Sequence, residues 1–223
     1  MNPVTYEATR ESLHAVAEHV LAAALHRATG RIGLRATPGG FGTPWFPTDS
    51  GTDRQLRVEG VDLVLDTGAD VRRTPLTTLR QAADFAGIPP GAPADVYTPA
   101  TPLDLDVPLT LDHAAARQLG DWYARADAAL TAFRDTHLDQ EPSIAQLWPE
   151  HFDLAITLAE ANYGASPGDA GSITPYAYVG PWRTDDLVGD FWNAPFGASR
   201  PSTELGSVDE IIAFFNAGHD LIP

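Results

Sequence analysis

The chain has 223 residues, 43% of them hydrophobic and 20% charged, the balance of a globular protein, which excludes wholesale disorder. Thirty acidic residues face fourteen bases, all of them arginine, for a formal net charge of −16, a field that argues against nucleic acid as a partner. The absence of lysine excludes Schiff-base chemistry, and the absence of cysteine excludes disulfides and thiolate sites.

The spacing predicts a first helix over about residues 5–29. Leu13, Val16, Ala17, Val20, Leu21, Ala24 and Leu25 recur at helical intervals, and Gly30 supplies a stop. On a wheel of about 100° per residue, Glu7, Glu11 and Glu18 fall on a polar side, and His19 and His26 point nearly opposite the apolar stripe. These read as a solvated face. RIGLRA is a short strand candidate, and the Gly/Pro-rich loop TPGGFGTPWFPTDSG follows it. In residues 54–66, LRV precedes VDLVLD, whose alternation predicts two strands turning near Gly60.

Thr74-Pro75 is read as opening a second helix, with Gly87 as its left-handed cap and Ile88 folding back onto the last turn. Residues 88–110 are proline-rich and read as an extended connector within a single domain spanning 1–223, the place where any division of it would fall. Asp112 caps a helix over about 113–136 with the stripe Leu119, Tyr123, Ala126, Leu130 and Phe133. Residues 151–158 alternate, with Phe152, Leu154, Ile156 and Leu158 on one face and His151, Asp153, Ala155 and Thr157 on the other. PYAYVG is a further strand candidate, and Ser207 with Glu210 forms a capping box at the start of the last helix. Strands and helices are interspersed without regular alternation. The expected class is therefore α+β, with an antiparallel or mixed sheet packed with about four helices and long aromatic Gly/Pro-rich loops. No run reaches the roughly 18–20 apolar residues of a membrane span, and MNPVTYEATRESLH has no export-signal character, so the expected setting is the cytoplasm, with no membrane partner.

Two features bear on function. His151 and Asp153 lie two apart on a predicted strand, where an imidazole and a carboxylate on one face form a proton-transfer pair with Asp153 as orienter. The structural alternative is local hydrogen bonding at a strand end. Large rings are also concentrated in loops, where they either staple the loops to the core or line an apolar pocket. The pocket reading takes Trp45, Trp148, Tyr176, Tyr178, Trp182 and Trp192 as ligand-binding, with Asn193 and Asp169 as polar contacts. His14 and Glu18, four apart on the first helix, offer a metal pair, but no HExxH spacing accompanies them; no metal site is assigned and no cofactor identified.

Several of these pieces also resemble a bacterial domain family with no assigned activity, whose strand motif Phe-Asp-Leu-Ala corresponds to Phe152-Asp153-Leu154-Ala155, preceded by Trp148. Thr9, Leu13 and His14 running into Gly30-Arg31-Ile32-Gly33-Leu34, Ala83-Asp84-Phe85, and the Tyr176-Ala177-Tyr178 strand follow the same order. The chain departs from that family at Gly42-Thr43-Pro44-Trp45, where the family has His-Trp-Trp-His, and it lacks the Phe-Ser-Gly-Arg that follows the family's strand. The resemblance implies shared architecture and carries no chemistry. The functional expectation is a small-molecule-binding domain or enzyme with an aromatic-lined pocket near the 151–158 strand. The alternatives are an interaction or homo-oligomerisation module and a metal-dependent hydrolase.

Overall fold

The computed structural model describes residues 3–48 and 51–222 and has the expected α+β class, with helices accompanying two antiparallel sheets. The chain divides into two compact units. The first contains the residues up to Asp121 together with Leu147–Phe152, and the second contains Trp122–Gln146 and the residues from Asp153 onward. The boundaries fall inside a helix and at both ends of a short segment. The connector 88–110 lies wholly within the first unit.

The first unit begins with α1 (Pro3–Val16), which continues through a π-helical turn, Ala17–Ala22, into α2 (Ala23–Thr29), ended by Gly30 at φ 72°. The predicted apolar stripe is buried, but so are Glu18 and His19, which the wheel assigned to solvent. The π turn is the reason. It adds residues to one turn, so phases counted at 3.6 residues per turn fail across it.

Burial of these two side chains is matched by hydrogen bonds from the proline-rich connector. Glu18 accepts from the backbone N–H of Ala100 at 2.9 Å and of Thr101 at 2.8 Å, and from the Thr101 hydroxyl at 2.5 Å. His19 Nδ1 accepts from the Ala92 N–H at 3.1 Å, which leaves the proton on Nε2, 3.0 Å from the Thr101 carbonyl. The connector has no regular structure, and these side chains hold it.

The sheet of this unit runs β1 (Arg35–Thr37), β2 (Gly40–Gly42), β4 (Asp53–Glu59), β5 (Asp62–Asp66), β6 (Val71–Pro75), with β3 (Phe46–Pro47) also on β4. The glycines of GGFG have separate causes. Gly39 turns at φ 74°, whereas a Cβ on Gly40 would lie 2.4 Å from the Val58 carbonyl and one on Gly42 2.5 Å from the Arg57 side chain. Thr74-Pro75 ends β6 rather than opening a helix. The helix, α3 (Leu79–Ala86), starts at Thr78, whose hydroxyl accepts from the Gln81 N–H at 3.1 Å. Its Gly87 cap and the Ile88 N–H to Ala83 carbonyl bond are as predicted.

The helix α4 (His113–Asp135), capped by Asp112, passes from one unit to the other between Asp121 and Trp122. A short strand, β7 (Gln146–Trp148), lies at the next crossing, with Leu147 bridged to Leu34 inside the first unit. The second unit carries β8 (Asp153–Leu158), β9 (Ala161–Ser166), β10 (Tyr176–Pro181) and β11 (Ala198–Pro201) as an antiparallel ladder in the order β11-β10-β9-β8. Its closing helix α5 (Val208–Asp220) has the predicted capping box complete.

Register divides this ladder into two faces. Leu154, Ile156, Tyr163, Ala165, Ala177, Val179 and Ala198 form the apolar one. Tyr163 meets Phe133 of α4 at 4.7 Å between ring centroids, Phe133 meets Phe215 of α5 at 5.6 Å, and Gly218 lets α5 approach Val179. Asp153, Ala155, Asn162, Gly164, Ser166, Tyr176, Tyr178, Ser199 and Pro201 share the other face.

Replacing Glu18 with Ala leaves three donors without their acceptor. The expected loss is about 3 kcal/mol in denaturant unfolding, with amide exchange accelerating at Ala100 and Thr101 before it does in the sheet. At the β8–β9 turn, Ala159 and Glu160 both hold positive φ, 49° and 59°. Asn-Gly in their place is expected to raise stability by about 1 kcal/mol in the same assay, because that pair adopts the turn without strain.

Candidate functional site

The polar face of the second unit's ladder is built around one missing side chain. Gly164 lies directly across from Tyr178, and a Cβ there would fall 2.5 Å from the phenol ring. The ring therefore lies over Gly164, and its hydroxyl donates to the carboxylate of Asp153 on β8. Burial, and then the neighbouring Asp153 charge, hold the Tyr178 hydroxyl protonated well above the ordinary tyrosine range.

One row along the same face, Tyr176 donates to Asp169 at 2.5 Å. Burial first, and then this bond, raise the pKa of the Tyr176 hydroxyl. Asp169 sits in the β9–β10 loop, where its other oxygen accepts from the N–H groups of Gly171 at 2.7 Å and Ser172 at 2.9 Å. This Asx turn fixes the carboxylate before any ligand arrives. The Tyr176 and Tyr178 rings lie 6.4 Å apart, and Phe196 meets Tyr178 edge-on at 6.1 Å.

Between these groups opens a cavity of about 310 Å³, lined by Asp169, Gly171, Ser172, Tyr176, Phe196, Ser199 and Pro201. That volume lies at the lower end of the range for small-molecule sites, roughly 300–1,000 Å³. A smaller cavity of about 240 Å³ lies in the first unit at Gly39, Glu59, Gly60, His113, Arg117 and Asp121, with no Phe, Tyr or Trp in its lining.

Of the sequence-predicted residues, Tyr176 and Asp169 line the larger cavity, and Tyr178 and Asp153 form the bonded pair on the same face. His151 does not join them. The strand starts at Asp153, and His151 lies exposed in the preceding turn, closed by the Phe152 N–H to Trp148 carbonyl bond of 2.7 Å. Phe152 takes φ 55°, which breaks the extended backbone, so the two-residue spacing no longer sets His151 and Asp153 on one face. The Phe152 ring stacks on His14 at 4.8 Å and meets Phe41 edge-on at 5.0 Å, a core role within the first unit.

Trp45 and Trp148 belong to the first unit, and both are exposed. Trp182 is 62% exposed, and Trp192 packs edge-on against Phe191 at 5.0 Å; neither lines the cavity. Asn193 has another task. Its amide nitrogen donates to the Ser199 carbonyl at 3.1 Å and its oxygen accepts from the Ser199 N–H at 2.9 Å, so it covers the outer edge of β11.

His14 and Glu18 are likewise committed. His14 Nε2 donates to the Pro149 carbonyl at 2.7 Å and lies 3.9 Å from Glu18, and burial, outweighing the pull of that carboxylate, lowers its pKa. Among the described residues no group of three or more His, Asp or Glu is arranged to hold a metal. No described helix is long and apolar enough to cross a membrane.

Sequence reasoning missed Gly171, Ser172, Ser199 and Pro201. The spacing of Asp169 to Gly171 and Ser172 was a usable signal, because an aspartate followed by small residues closes an Asx turn. Neither a known protein family, nor a curated protein, nor a solved structure matches this chain.

Tyr178→Phe is expected to cost about 1–3 kcal/mol, by leaving the Asp153 carboxylate short of a donor. It also changes the alkaline limb of stability. The folded chain holds the Tyr178 proton above the value of 10.0 of an unperturbed phenol, so the pair's contribution is complete below about pH 10 and falls as pH rises beyond it. Chemical denaturation at successive pH values above 9 should show a shallower decline in the variant, and an unchanged slope would argue against the assignment.

Proposed function

We propose that this chain binds a small molecule on the polar face of the second unit's ladder, in the cavity beside Tyr176, either as a binding protein or as an enzyme acting on that ligand. The observation that carries the reading is the cavity itself, about 310 Å³ in volume, with an aromatic wall and a carboxylate fixed in advance. Small-molecule sites have this composition, apolar surface with a few oriented polar groups. In the enzymatic form, the proton-transfer pair is Tyr178 with Asp153 in place of His151 with Asp153. A hydrogen-bonded phenol and carboxylate already share this face, and Phe196 touches both Tyr178 and the cavity. A cytoplasmic setting and the absence of a nucleic-acid partner are part of the proposal, the second supported by the net charge of −16. The shared architecture with the Phe-Asp-Leu-Ala family stands as a proposal on the same footing.

A second reading, an interaction surface for another protein or another copy of the chain, is favoured by one observation. Trp182 and Val188 lie in one loop and are 62% and 83% exposed. A dimer in light scattering that Trp182→Ala dissolves would support it.

Ligand-observed NMR with a fragment library tests the first reading. Ser199→Trp fills the cavity from the face of β11, and is expected to abolish the binding of fragments that wild type and Trp45→Ala both retain. Fragments that bind all three proteins equally, or no fragment binding at all, would count against it.

A further inference from the structure

The cavity's lining is chemically one-sided. Among the described residues it brings one carboxylate, Asp169, two aromatic rings, Tyr176 and Phe196, and no basic side chain. The one base on β11, Arg200, lies on the opposite face, with its guanidinium 5.9 Å from the ring centroids of both Phe191 and Phe214. Building on the binding reading above, we infer that the ligand is a small organic cation, an ammonium compound whose charged head faces Asp169 and the rings of Tyr176 and Phe196.

Three physical arguments support this class over the others. An anion brought into the cavity would meet the Asp169 charge without a guanidinium or imidazole in the lining to offset it. A purely apolar ligand would strip water from that carboxylate and return nothing. A cation gains from both, since the carboxylate attracts it directly and an aromatic face attracts it through the ring quadrupole.

The arrangement strengthens each contribution. Asp169 is held by the Gly171 and Ser172 N–H groups, and its own N–H bonds the Ser172 carbonyl at 2.8 Å, so the carboxylate is oriented in advance. The Tyr176 hydroxyl donates to Asp169, which pushes electron density into the ring and deepens its negative face. Phe196 leaves 45% of its surface uncovered. The net charge of −16 adds a long-range field that draws cations toward the molecule.

Calorimetry on the full chain tests the inference with two matched pairs, choline against 3,3-dimethylbutan-1-ol and benzylamine against benzyl alcohol. In each pair shape is nearly constant and charge is not. The expected result is that at least one cation binds about tenfold more tightly than its neutral partner. Asp169→Asn should erase that preference, because asparagine still accepts from Gly171 and Ser172 but carries no charge. Should that variant fail to fold, Phe196→Leu serves, with cation affinity falling severalfold and the charge retained. Neutral partners binding as well as the cations overturn the inference, as do fragments seated in the cavity that neither cation displaces; both results leave the small-molecule reading standing. If no probe and no fragment occupies the cavity, both readings fall.

Discussion

The hydroxyl of Tyr178 reaches Asp153 across a whole strand, and it can do so only because the residue beneath it has no side chain. Any Cβ at position 164 would lift the ring, and the carboxylate would lose the Tyr178 hydroxyl. The rest of the polar face follows from that crossing. With Tyr178 laid flat, Tyr176 stands beside it and meets Asp169, and Phe196 closes against the Tyr178 edge. The cavity is the space left between these rings and the edge strand. Its walls come from both the ladder, at Tyr176, Ser199 and Pro201, and the loops, at Asp169, Gly171, Ser172 and Phe196.

The opposite face explains why such a polar surface is tolerated. A ladder needs one buried side, and Tyr163, Val179 and their neighbours supply it against the rings of Phe133 and Phe215. That leaves the second face free to carry a carboxylate, two phenols and serines without leaving the unit short of a core. Asn193, bonding both backbone groups of Ser199, keeps the edge strand from presenting open donors and acceptors. The same bonds hold Ser199, one wall of the cavity, in place.

Much of the scaffold was legible in the sequence. The Asp112 cap, the Ser207–Glu210 box, the Gly87 cap and the hairpin at Gly60 stand where turn and cap chemistry placed them, because each rests on local hydrogen bonds between near neighbours. The strand β9 was not legible. Its hairpin turns through Ala159 and Glu160 at positive φ, without the Asn or Gly that ordinarily marks such a turn, and Gly164 interrupts its pattern. Since the site depends on β9 lying between β8 and β10, the site was hidden with it. The Tyr-x-Tyr spacing was visible, but its partners, Asp153 and Asp169, could be assigned only once the strand order was known. His151 failed for a related reason. The turn before β8 bends at Phe152, and alternation cannot be counted through a residue in the left-handed region. The π turn in the first helix misled in the same way, hiding the burial of Glu18 and His19.

The connector between α3 and α4 shows a different economy. It is long and irregular, and ordering such a segment normally costs about 1–2 kcal/mol per residue in backbone entropy. Here proline recurs throughout the segment, so much of that freedom is already absent in the unfolded chain. Two neighbouring side chains, Glu18 and His19, dock it at Ala92, Ala100 and Thr101, and Arg27 at Pro89 and Arg80 at Asp106 tie down its two ends. A segment of this kind is rigid without being regular. It stiffens the first unit as a strap would, and its resistance to local opening resides in its composition as much as in its contacts.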